Sequence, residues 1–501
     1  MTDRPNILFI TSDQHRFDAV GFMGHPDVQT PNLDRLAASG VVFDRCYVTN
    51  PVCMPSRATL MTGQFPDAHG VRRNGIEVPD QPWGIARTFR QNGWRTGIFG
   101  KTHFCPLRRD YNADFVFHDW RGGEDYYGFE ERAITHDLKD FVSELPTHYR
   151  REGMGRDPNR AFIRDDYLDW IKQTDPSLYP LAVREGLPEG QTALAPEIWT
   201  SELPVERHQS TWIANQTLEF IERHRDEPFF AWCSFVDPHH PFNAPRPYRE
   251  LYDPANLARP VWIEGELAAR RSRYHRERSA QQIDVWRQFG QEYRAQYYGM
   301  LSLIDAQVGR IVRHLEQLGL AERTLIVFTS DHGEMLGDHG ISRKGLFHYE
   351  PLIRVPLAFY WPGQVAGGLR QRGLVQNVDL PATFLDAAGI AIPHQYQGRS
   401  LLPWCRGERD DSPRTRALIT NGGEGPHYNP WPELRTLVTD RFKLQYYVGE
   451  NHLEIDDLAE DPHELNPRDP EQEPALVRTL LSALIDAGSA ASVWGEHWGR
   501  W

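Results

Sequence analysis

The sequence predicts an α/β fold in which a large, mostly parallel or mixed sheet is sandwiched between helices. Short apolar runs typical of buried strands alternate with segments of helical periodicity along most of the chain, a pattern that favours a largely parallel sheet. Polar residues follow directly after several of these runs, where ligands bind in such sheets. The 501 residues exceed the size of one core, so a second, smaller domain is expected.

Local signals indicate the first elements. Residues 6–10 form an apolar run that ends at a Thr-Ser-Asp-Gln segment, which predicts a buried strand. Thr30 and Pro31 are typical of an N-cap and a first helical position, so a helix is predicted to begin there and to end at Gly40. Residues 41–43, Val-Val-Phe, predict the second strand.

The central part of the chain continues this alternation. Further buried strands are predicted at residues 96–100, 228–235 and 324–329. A long helix is predicted over 292–318, where apolar residues have helical spacing, and a shorter helix over 379–388. Residues 363–373 are predicted to form a loop.

The domain organisation follows from these elements. A large domain is expected over residues 1–405, with an insertion at about 121–204, where periodicity is weak and aromatic and charged residues are frequent. Alternating runs at 416–420, 434–438 and 443–448, then a helix near 474–487, predict a small C-terminal α+β domain over 406–485 with an antiparallel sheet. Residues 486–501 form a tryptophan-rich tail.

Composition excludes several classes of protein. With a formal net charge of −14, the chain lacks the basic face that a nucleic-acid or anionic-membrane partner requires. No apolar run approaches the roughly 20 residues that span a bilayer, and no basic-then-apolar leader precedes the first predicted strand. Five widely spaced cysteines, none in a Cys-x-x-Cys pair, are typical of reduced thiols. We therefore expect a cytoplasmic protein with no nucleic-acid or membrane partner.

One motif predicts the chemistry. Residues 53–57 read Cys-Met-Pro-Ser-Arg and are followed by Thr-Gly at 62–63. This segment resembles the maturation motif of the sulfatase family, Cys-x-Pro-Ser-Arg. The resemblance implies that a formylglycine-generating enzyme oxidises Cys53 to formylglycine, whose hydrated aldehyde carries two hydroxyls on one carbon. One hydroxyl attacks a sulfur or phosphorus centre, and the other expels the bound anion as the aldehyde reforms. The alternative is a buried cysteine beside a turn proline.

Two polar pairs predict a divalent metal site. Asp13-Gln14 and Asp331-His332 each follow a predicted strand, and divalent cations need converging carboxylates and neutral donors. The resemblance implies that these four residues, with Cys53, hold the metal. Many calcium-dependent sulfatases have two acidic residues in the first pair and Asp-Asn in the second. The imidazole here moves the preference toward Mn²⁺, with Ca²⁺ as the alternative. The competing interpretation is that the two aspartates cap helices.

Other motifs resemble further segments of the family and imply catalytic roles. Lys101 and His103 lie in a Gly-Lys-x-His motif, which implies that Lys101 holds the anion and that His103 takes a proton from the second hydroxyl. His239 lies in an Asp-Pro-His-His-Pro segment. It is assigned as proton donor to the leaving oxygen, because histidine as a residue type has a pKa near neutral. Its neighbour His240 is interpreted as a supporting residue. Lys344, in Arg-Lys-Gly, is the implied second anion-binding cation.

Two residues complete the predicted site. Arg57 is implied to bind the formylglycine and the metal-bound oxygens, and Asn74 to touch the anion together with Lys101, His239 and Lys344. Three acidic residues near the motifs are interpreted as structural: Asp18, Glu334 and Asp338.

The resemblance extends from residue 6 to about residue 467 and implies hydrolysis of the sulfate ester of a small organic molecule. The alternative is a phosphonate monoester or phosphodiester hydrolase with the same nucleophile, a branch whose metal ligands the two polar pairs resemble. The segment around Tyr126 and Tyr127 also resembles choline sulfatases. These tyrosines and Trp120 are therefore expected either to face a quaternary ammonium or simply to pack. The three tryptophans of the tail predict a homo-oligomer, with packing on the tail's own subunit as the alternative.

Overall fold

The computed structural model describes residues 4–105, 125–136, 165–183, 198–266, 272–422 and 433–492, and for 273–281 only the backbone. Among these residues the strands form one sheet of nine and one of four. The strands of the larger sheet are β1 (Asn6–Ser12), β2 (Val41–Tyr47), β3 (Arg95–Gly100), β4 (Glu131–Ile134), β5 (Phe229–Ser234), β6 (Thr324–Ser330), β7 (Arg354–Val355), β8 (Leu357–Tyr360) and β9 (Leu369–Gln376).

The larger sheet is mixed, with five neighbouring parallel strands, β4, β3, β5, β1 and β6, in one half. Its order is β4-β3-β5-β1-β6-β8-β2-β7, and β9 pairs with β2. β1 lies between β5 and β6 and is parallel to both, while β3 is parallel to β4 and β5. β8 runs antiparallel to β6 and to β2. The carboxyl ends of β1, β3, β5 and β6 therefore meet at one edge, which positions the segments that follow them.

Helices cover both faces of this sheet. The helices of the described residues are α1 (Pro31–Ala38), α2 (Cys53–Thr62), α3 (Pro66–His69), α4 (Ile85–Gln91), α5 (Asp166–Thr174), α6 (Tyr179–Val183), α7 (Gln209–Arg223), α8 (Arg246–Arg249), α9 (Arg273–Gln317), α10 (Glu350–Ile353), α11 (Asp379–Ala387), α12 (Leu402–Cys405) and α13 (Pro474–Ser492). None of these helices is long and apolar enough to cross a membrane.

Alternate residues of the central strands pack against helices on opposite sides. Leu8 and Ile10 of β1 belong to a core that includes side chains of α1, α7 and α9. Ile7 and Phe9 belong to the other core, where Phe9 and Phe384 of α11 have ring centroids 5.0 Å apart. Because both faces are covered, the strands read as continuous apolar runs rather than alternating ones. The predicted fold class, a helix-covered mixed sheet, is confirmed.

Two central elements differ from the prediction. Helix α9 begins at Arg273, well before residue 292, because Trp286 continues the buried stripe and packs on Tyr293 with centroids 4.6 Å apart. The many charged residues of this first part hide that stripe in the sequence.

The loop predicted over 363–373 is wrong in its second part, where β9 pairs in parallel with β2. Arg370 and Arg372 of β9 are exposed, so the strand lacks the expected apolar pattern.

Helix α1 begins at Pro31 as predicted, but Thr30 does not cap it with its side chain. The Thr30 hydroxyl instead donates to Asp34 Oδ1 at 3.1 Å. Asp305 of α9 takes over the capping role, since its carboxylate accepts the backbone N–H groups of Asn32 and Leu33 at 3.2 and 2.8 Å. The N-terminus of α1 is thus satisfied by a residue far away in the sequence.

The C-terminal part forms the predicted α+β unit. Its antiparallel sheet has the order β10 (Ala417–Asn421), β11 (Leu434–Val438), β12 (Phe442–Tyr447) and β13 (His452–Asp457). Leu480 and Leu484 of α13 share a core with Leu437, Leu444 and Ile455 of the sheet. The strand β13 was not predicted. Residues 493–501, which hold the three tail tryptophans, and Trp120 lie outside the described residues.

Candidate active site

The predicted site residues lie at the carboxyl edge of the large sheet. Asp13 directly follows β1, Lys101 follows β3, and Asp331 follows β6. Gly100, with φ of 106°, ends β3, and a Cβ there would collide with the carbonyl oxygen of Ser234 in β5. Only glycine therefore allows this approach, in which the Lys101 N–H donates to the Ser234 carbonyl at 2.9 Å.

Cys53 occupies the centre of this edge. It is the first residue of α2 and is 1% exposed. Its Sγ lies 2.6 Å from Lys344 Nζ, 3.2 Å from His332 Nε2 and 3.9 Å from Asp13 Oδ1. Asp13, which follows β1, and two residues of the segment after β6 thus converge on the sulfur, and the interpretation of Cys53 as an ordinary core cysteine does not account for them.

Arg57 lies one turn after Cys53 on the same face of α2 and is fully buried. Its Nε donates to Asp331 Oδ2 at 2.8 Å and its Nη2 to Asp13 Oδ2 at 3.2 Å. Its Nη1 donates to the Lys101 carbonyl at 2.7 Å and to Ser234 Oγ at 2.9 Å. The guanidinium therefore joins the ends of four strands, which a lysine could not do.

Four residues are arranged so that they could hold a metal ion. One potential ligand atom each from Asp13, Cys53, Asp331 and His332 lies within 4.8 Å of the others. The predicted fifth residue, Gln14, donates its backbone N–H to Asp331 Oδ1 at 3.2 Å. Its Oε1 is buried and has no hydrogen-bond partner among the described residues, which is what a cation ligand would look like without its ion. Carboxylates, an imidazole and an amide oxygen form a suitable donor set for a divalent cation.

The alternative that the two aspartates cap helices is wrong. Asp13 Oδ2 forms an ion pair with Lys101 Nζ at 2.8 Å as well as with Arg57. Asp331 is engaged by Arg57 at 2.8 Å. Neither carboxylate accepts the first-turn N–H groups of a following helix in the described part of the chain.

The electrostatics of the site favour an anion. Lys101, Arg57 and Lys344 place three cations around two carboxylates, so this edge is locally positive although the chain is acidic. Burial would raise the pKa of Asp13, but these three cations outweigh it and hold the pKa well below its usual value. Burial and the charge of Asp13 raise the pKa of Asp331 to about 6. Burial and Asp13 likewise oppose ionisation of Cys53, yet Lys344 and Lys101 bring the pKa of its thiol well below the usual value.

His239 and Lys344 approach the nucleophile position together. Lys344 Nζ lies 3.4 Å from His239 Nε2 and 3.0 Å from His332 Nε2. His239 Nδ1 lies 2.7 Å from the carbonyl oxygen of His240. A carbonyl only accepts, so Nδ1 carries a hydrogen. His239 Nε2 is therefore the ring nitrogen that is directed toward the site and could exchange a proton there.

The surroundings of His103 and Asn74 differ from those of the residues that contact Cys53. His103 has a left-handed backbone with φ of 50°. Its Nδ1 is buried and lacks a hydrogen-bond partner in the described part of the chain. Asn74 is exposed, and its Oδ1 accepts the backbone N–H of Met54 at 3.0 Å, beside Cys53. It therefore supports the first turn of α2.

For Tyr126 and Tyr127 the packing alternative holds. They are 0% and 2% exposed and lie in the core with Phe104, at centroid distances of 6.0 and 5.2 Å. Arg132 already lies over the Tyr126 ring at 5.1 Å. These tyrosines therefore do not offer a free aromatic face to a quaternary ammonium.

Sequence reasoning overlooked several supporting residues. Ser56 Oγ donates to the Asp331 carbonyl at 2.5 Å and accepts from Asn377 Nδ2 at 2.9 Å. Ser234 accepts from Arg57, as described above. Glu334, which the sequence suggested was structural, contacts Gln14. Ser234 ends a predicted strand, a signal that could have identified it, whereas nothing in the sequence marks Asn377.

Comparison with known proteins agrees with this geometry. Residues 5–390 match the sulfatase family, and residues 337–488 match the family described as N-sulphoglucosamine sulphohydrolase, C-terminal. The chain is 30% identical to an arylsulfatase of Clostridium perfringens, covering 92% of this chain and 89% of that one. It is 28% identical to a choline-sulfatase of Rhizobium meliloti, covering 99% and 87%. Its fold is similar to that of phosphonate monoester hydrolase SpPMH from Silicibacter pomeroyi, with a TM-score of 0.76, 25% identity and coverage of 98% and 96%.

These matches define a hydrolase of the alkaline-phosphatase-like fold with a sulfatase motif at its centre. The chain belongs to the sulfatase family. It is therefore a sulfuric ester hydrolase, and the resemblance inferred from the motif at residues 53–57 is confirmed. Membership of the family also implies a formylglycine and a divalent metal ion.

Proposed function

We propose that this enzyme hydrolyses the sulfate ester of a small organic molecule, with residue 53 in its formylglycine form and a divalent ion held beside it. The observation that carries the proposal is the convergence of Lys344, His332 and Asp13 on the side chain of Cys53. The formylglycine supplies a nucleophilic hydroxyl and the ion withdraws charge from the transferred group.

The residues around position 53 have distinct proposed tasks. Asp13, Gln14, Asp331 and His332, with residue 53, hold the metal ion. Lys101 and Lys344 bind the sulfate oxygens, together with Asn74. Arg57 fixes both metal-binding aspartates and so orients the site. These fixed positive groups stabilise the charge that develops on the transferred group.

Two histidines are proposed to move protons. His239 in its protonated form gives the Nε2 proton to the leaving oxygen as the S–O bond to the alcohol breaks, and Lys344 lies 3.4 Å from that nitrogen. His103 takes a proton from the second hydroxyl of residue 53 when sulfate departs. The buried, unpartnered Nδ1 of His103 supports this assignment, because it is a polar atom that lacks a protein partner among the described residues.

The identity of the ion is proposed from its ligands. An imidazole and an amide oxygen beside two carboxylates favour Mn²⁺ over Ca²⁺, since nitrogen ligands suit the transition metal better. We keep Ca²⁺ as the alternative.

A second function has specific support. Phosphonate monoester or phosphodiester hydrolysis needs the same nucleophile, metal and cations, because both reactions transfer a tetrahedral anion. The similarity to the Silicibacter pomeroyi structure favours this alternative, whereas the arylsulfatase and choline-sulfatase relatives favour the sulfate ester.

A panel assay separates the two functions. Matured, metal-loaded protein is tested against aryl sulfate, choline sulfate, sugar sulfates and an aryl phosphonate monoester, and kcat/KM is compared. Cys53→Ala is the control, because it removes the nucleophile and leaves the fold intact. We expect the highest kcat/KM for a sulfate ester. A higher kcat/KM for the phosphonate would assign the chain to the second function.

We further propose maturation by a formylglycine-generating enzyme, a cytoplasmic location and a homo-oligomeric state. The intact motif at residues 53–57 supports the first. None of the five cysteines forms a disulfide, which supports a reducing compartment. The tryptophan-rich tail supports the oligomer.

A further inference from the structure

We propose that Glu334 is a positioning residue that turns the Gln14 amide so that its carbonyl oxygen, rather than its NH₂ group, is offered to the divalent ion. The inference rests on the metal site of the proposed function. It changes the interpretation of Glu334, which the sequence suggested was only structural.

Glu334 is itself held firmly as an acceptor. It follows β6 and is fully buried. Its Oε1 accepts two backbone N–H groups, that of Leu336 at 2.9 Å and that of Arg343 at 2.6 Å. Its Oε2 faces Gln14 Nε2 at 2.6 Å. Gln14 donates to this oxygen from its NH₂ group, so Glu334 accepts hydrogen bonds at both of its carboxyl oxygens.

The Gln14 amide then has one orientation. One hydrogen of Nε2 goes to Glu334, and Nε2 also lies 3.2 Å from His240 Nδ1. The backbone of Gln14 is fixed as well: the N–H of Gln14 donates to Asp331 Oδ1 at 3.2 Å, and its carbonyl accepts from the Tyr297 hydroxyl at 2.7 Å. The φ of Gln14 is 66°. With both sides of the NH₂ group engaged, Oε1 is directed away from Glu334 and is left without a partner in the described structure.

An unpartnered buried oxygen is costly unless a ligand satisfies it. Gln14 touches Asp331 and directly follows Asp13, so a cation among those carboxylates is the partner its oxygen lacks. The reversed amide would present an NH₂ group to the cation and repel it. Outer residues that fix a ligand in this way typically change metal affinity about 10–100-fold when they are replaced.

The test is Glu334→Gln. The two N–H groups of Leu336 and Arg343 require an acceptor, so the new carbonyl oxygen stays there and the new NH₂ group faces Gln14. Two NH₂ groups cannot bond, so Gln14 rotates and offers its NH₂ group to the ion. We expect the dissociation constant for Mn²⁺ to rise about 10–100-fold. It is measured by calorimetry on metal-stripped full-length protein and by the Mn²⁺-dependent shift in Tm.

In the double variant Gln14→Glu with Glu334→Gln, the hydrogen bond between the two side chains forms again with donor and acceptor exchanged. The new amide at position 334 donates and the new carboxylate at position 14 accepts, while the second oxygen of that carboxylate again faces the ion. We expect Mn²⁺ affinity within a few-fold of the wild type.

The matched control is Asp456→Asn, which replaces a buried carboxylate that accepts from Gln445 Nε2 at 3.3 Å in the small sheet. We expect that variant to bind Mn²⁺ as the wild type does.

Two outcomes would overturn the inference while leaving the proposed function in place. One is wild-type Mn²⁺ affinity in Glu334→Gln. The other is weakened binding that the double variant does not restore, since this would reflect general damage. If Glu334→Gln fails to fold, the affinity of the double variant decides. A wild-type protein that binds neither Mn²⁺ nor Ca²⁺ but hydrolyses sulfate esters would instead contradict the metal site itself.

Discussion

At the scale of single residues, the site places cationic side chains close together although the chain as a whole is acidic. Arg57 and Lys101 together balance the charges of Asp13 and Asp331, which leaves Lys344 as additional positive charge beside Cys53. Because Arg57, Lys101 and the two aspartates are buried and Lys344 is half-buried, their interactions are screened less by water and salt than surface pairs are. The net charge of −14 therefore says nothing against an anionic substrate.

His239 is the residue whose replacement should depend most on the substrate. If it protonates the leaving oxygen, His239→Ala should lower kcat about 10²–10⁴-fold for alkyl sulfates, whose alkoxides leave poorly without a proton. Activated aryl sulfates should lose far less, because their phenolates are stable anions. The measurement is the slope of log kcat/KM against leaving-group pKa in wild type and variant. Parallel lines would refute the assignment.

Much of the site could be predicted because its residues lie in short motifs at strand ends. Asp13, Lys101 and Asp331 each follow an apolar run, and parallel strands bring their carboxyl ends together. The orientation of the Gln14 amide could not be predicted. It depends on Glu334, more than three hundred residues away, whose side chain meets Gln14 only in the folded sheet.

At the scale of elements, the prediction succeeded where burial on both faces leaves a continuous apolar run. β1, β5 and β6 are covered on both faces and appear as apolar runs. It failed where an element is partly solvated or heavily charged, as for β9 and the first part of α9. The cap of α1 by Asp305 is a tertiary contact without a local signal.

The short helix α3 carries a pH-dependent contribution to stability. Its His69 is buried, and burial lowers its pKa from 6.5 to about 3. Its Nδ1 accepts the Val71 N–H at 3.1 Å, and its Nε2 lies 3.2 Å from Thr59 Oγ1 in α2. In the unfolded chain the ring binds a proton near pH 6.5, whereas in the folded protein it does not. The unfolded state is therefore favoured as the pH falls from 6.5 toward 3.

Below pH 6.5, we expect the protonation of His69 to lower the free energy of unfolding by about 1.4 kcal/mol for each pH unit. His69→Asn keeps an acceptor for Val71 and removes the titration, so its stability should decline less steeply between pH 6.5 and 4. Denaturant unfolding at several pH values gives the slopes. His394→Asn, at an exposed position, is the control. Equal slopes in wild type and His69→Asn would contradict the argument.

At the scale of the whole molecule, the two sheets serve different purposes. The large sheet supplies the strand ends from which the site is built. The small sheet and α13 have their own core, but Phe65 and Val378 of the larger part belong to it as well. His348, shortly after Lys344, donates its backbone N–H to Gln445 of β12 at 3.1 Å. The small sheet thereby holds the segment that carries one of the two site lysines.

The tryptophan-rich tail predicts how copies of the chain associate. Three tryptophans in a short terminal segment would each bury on the order of 200 Å² if covered, and so short a tail cannot form a core of its own. Deleting residues 492–501 should lower the mass measured by light scattering. The same mass and the same kinetics after the deletion would show that the tail packs on its own subunit.

The chemical state of residue 53 tests the central claim most directly. The protein is prepared with and without a formylglycine-generating enzyme, and the fraction of formylglycine at residue 53 is measured by peptide mass spectrometry. We expect kcat for a sulfate ester to rise in proportion to that fraction, and Cys53→Ala to be inactive at every level of the maturing enzyme. Full turnover by protein in which residue 53 remains a thiol would contradict the account.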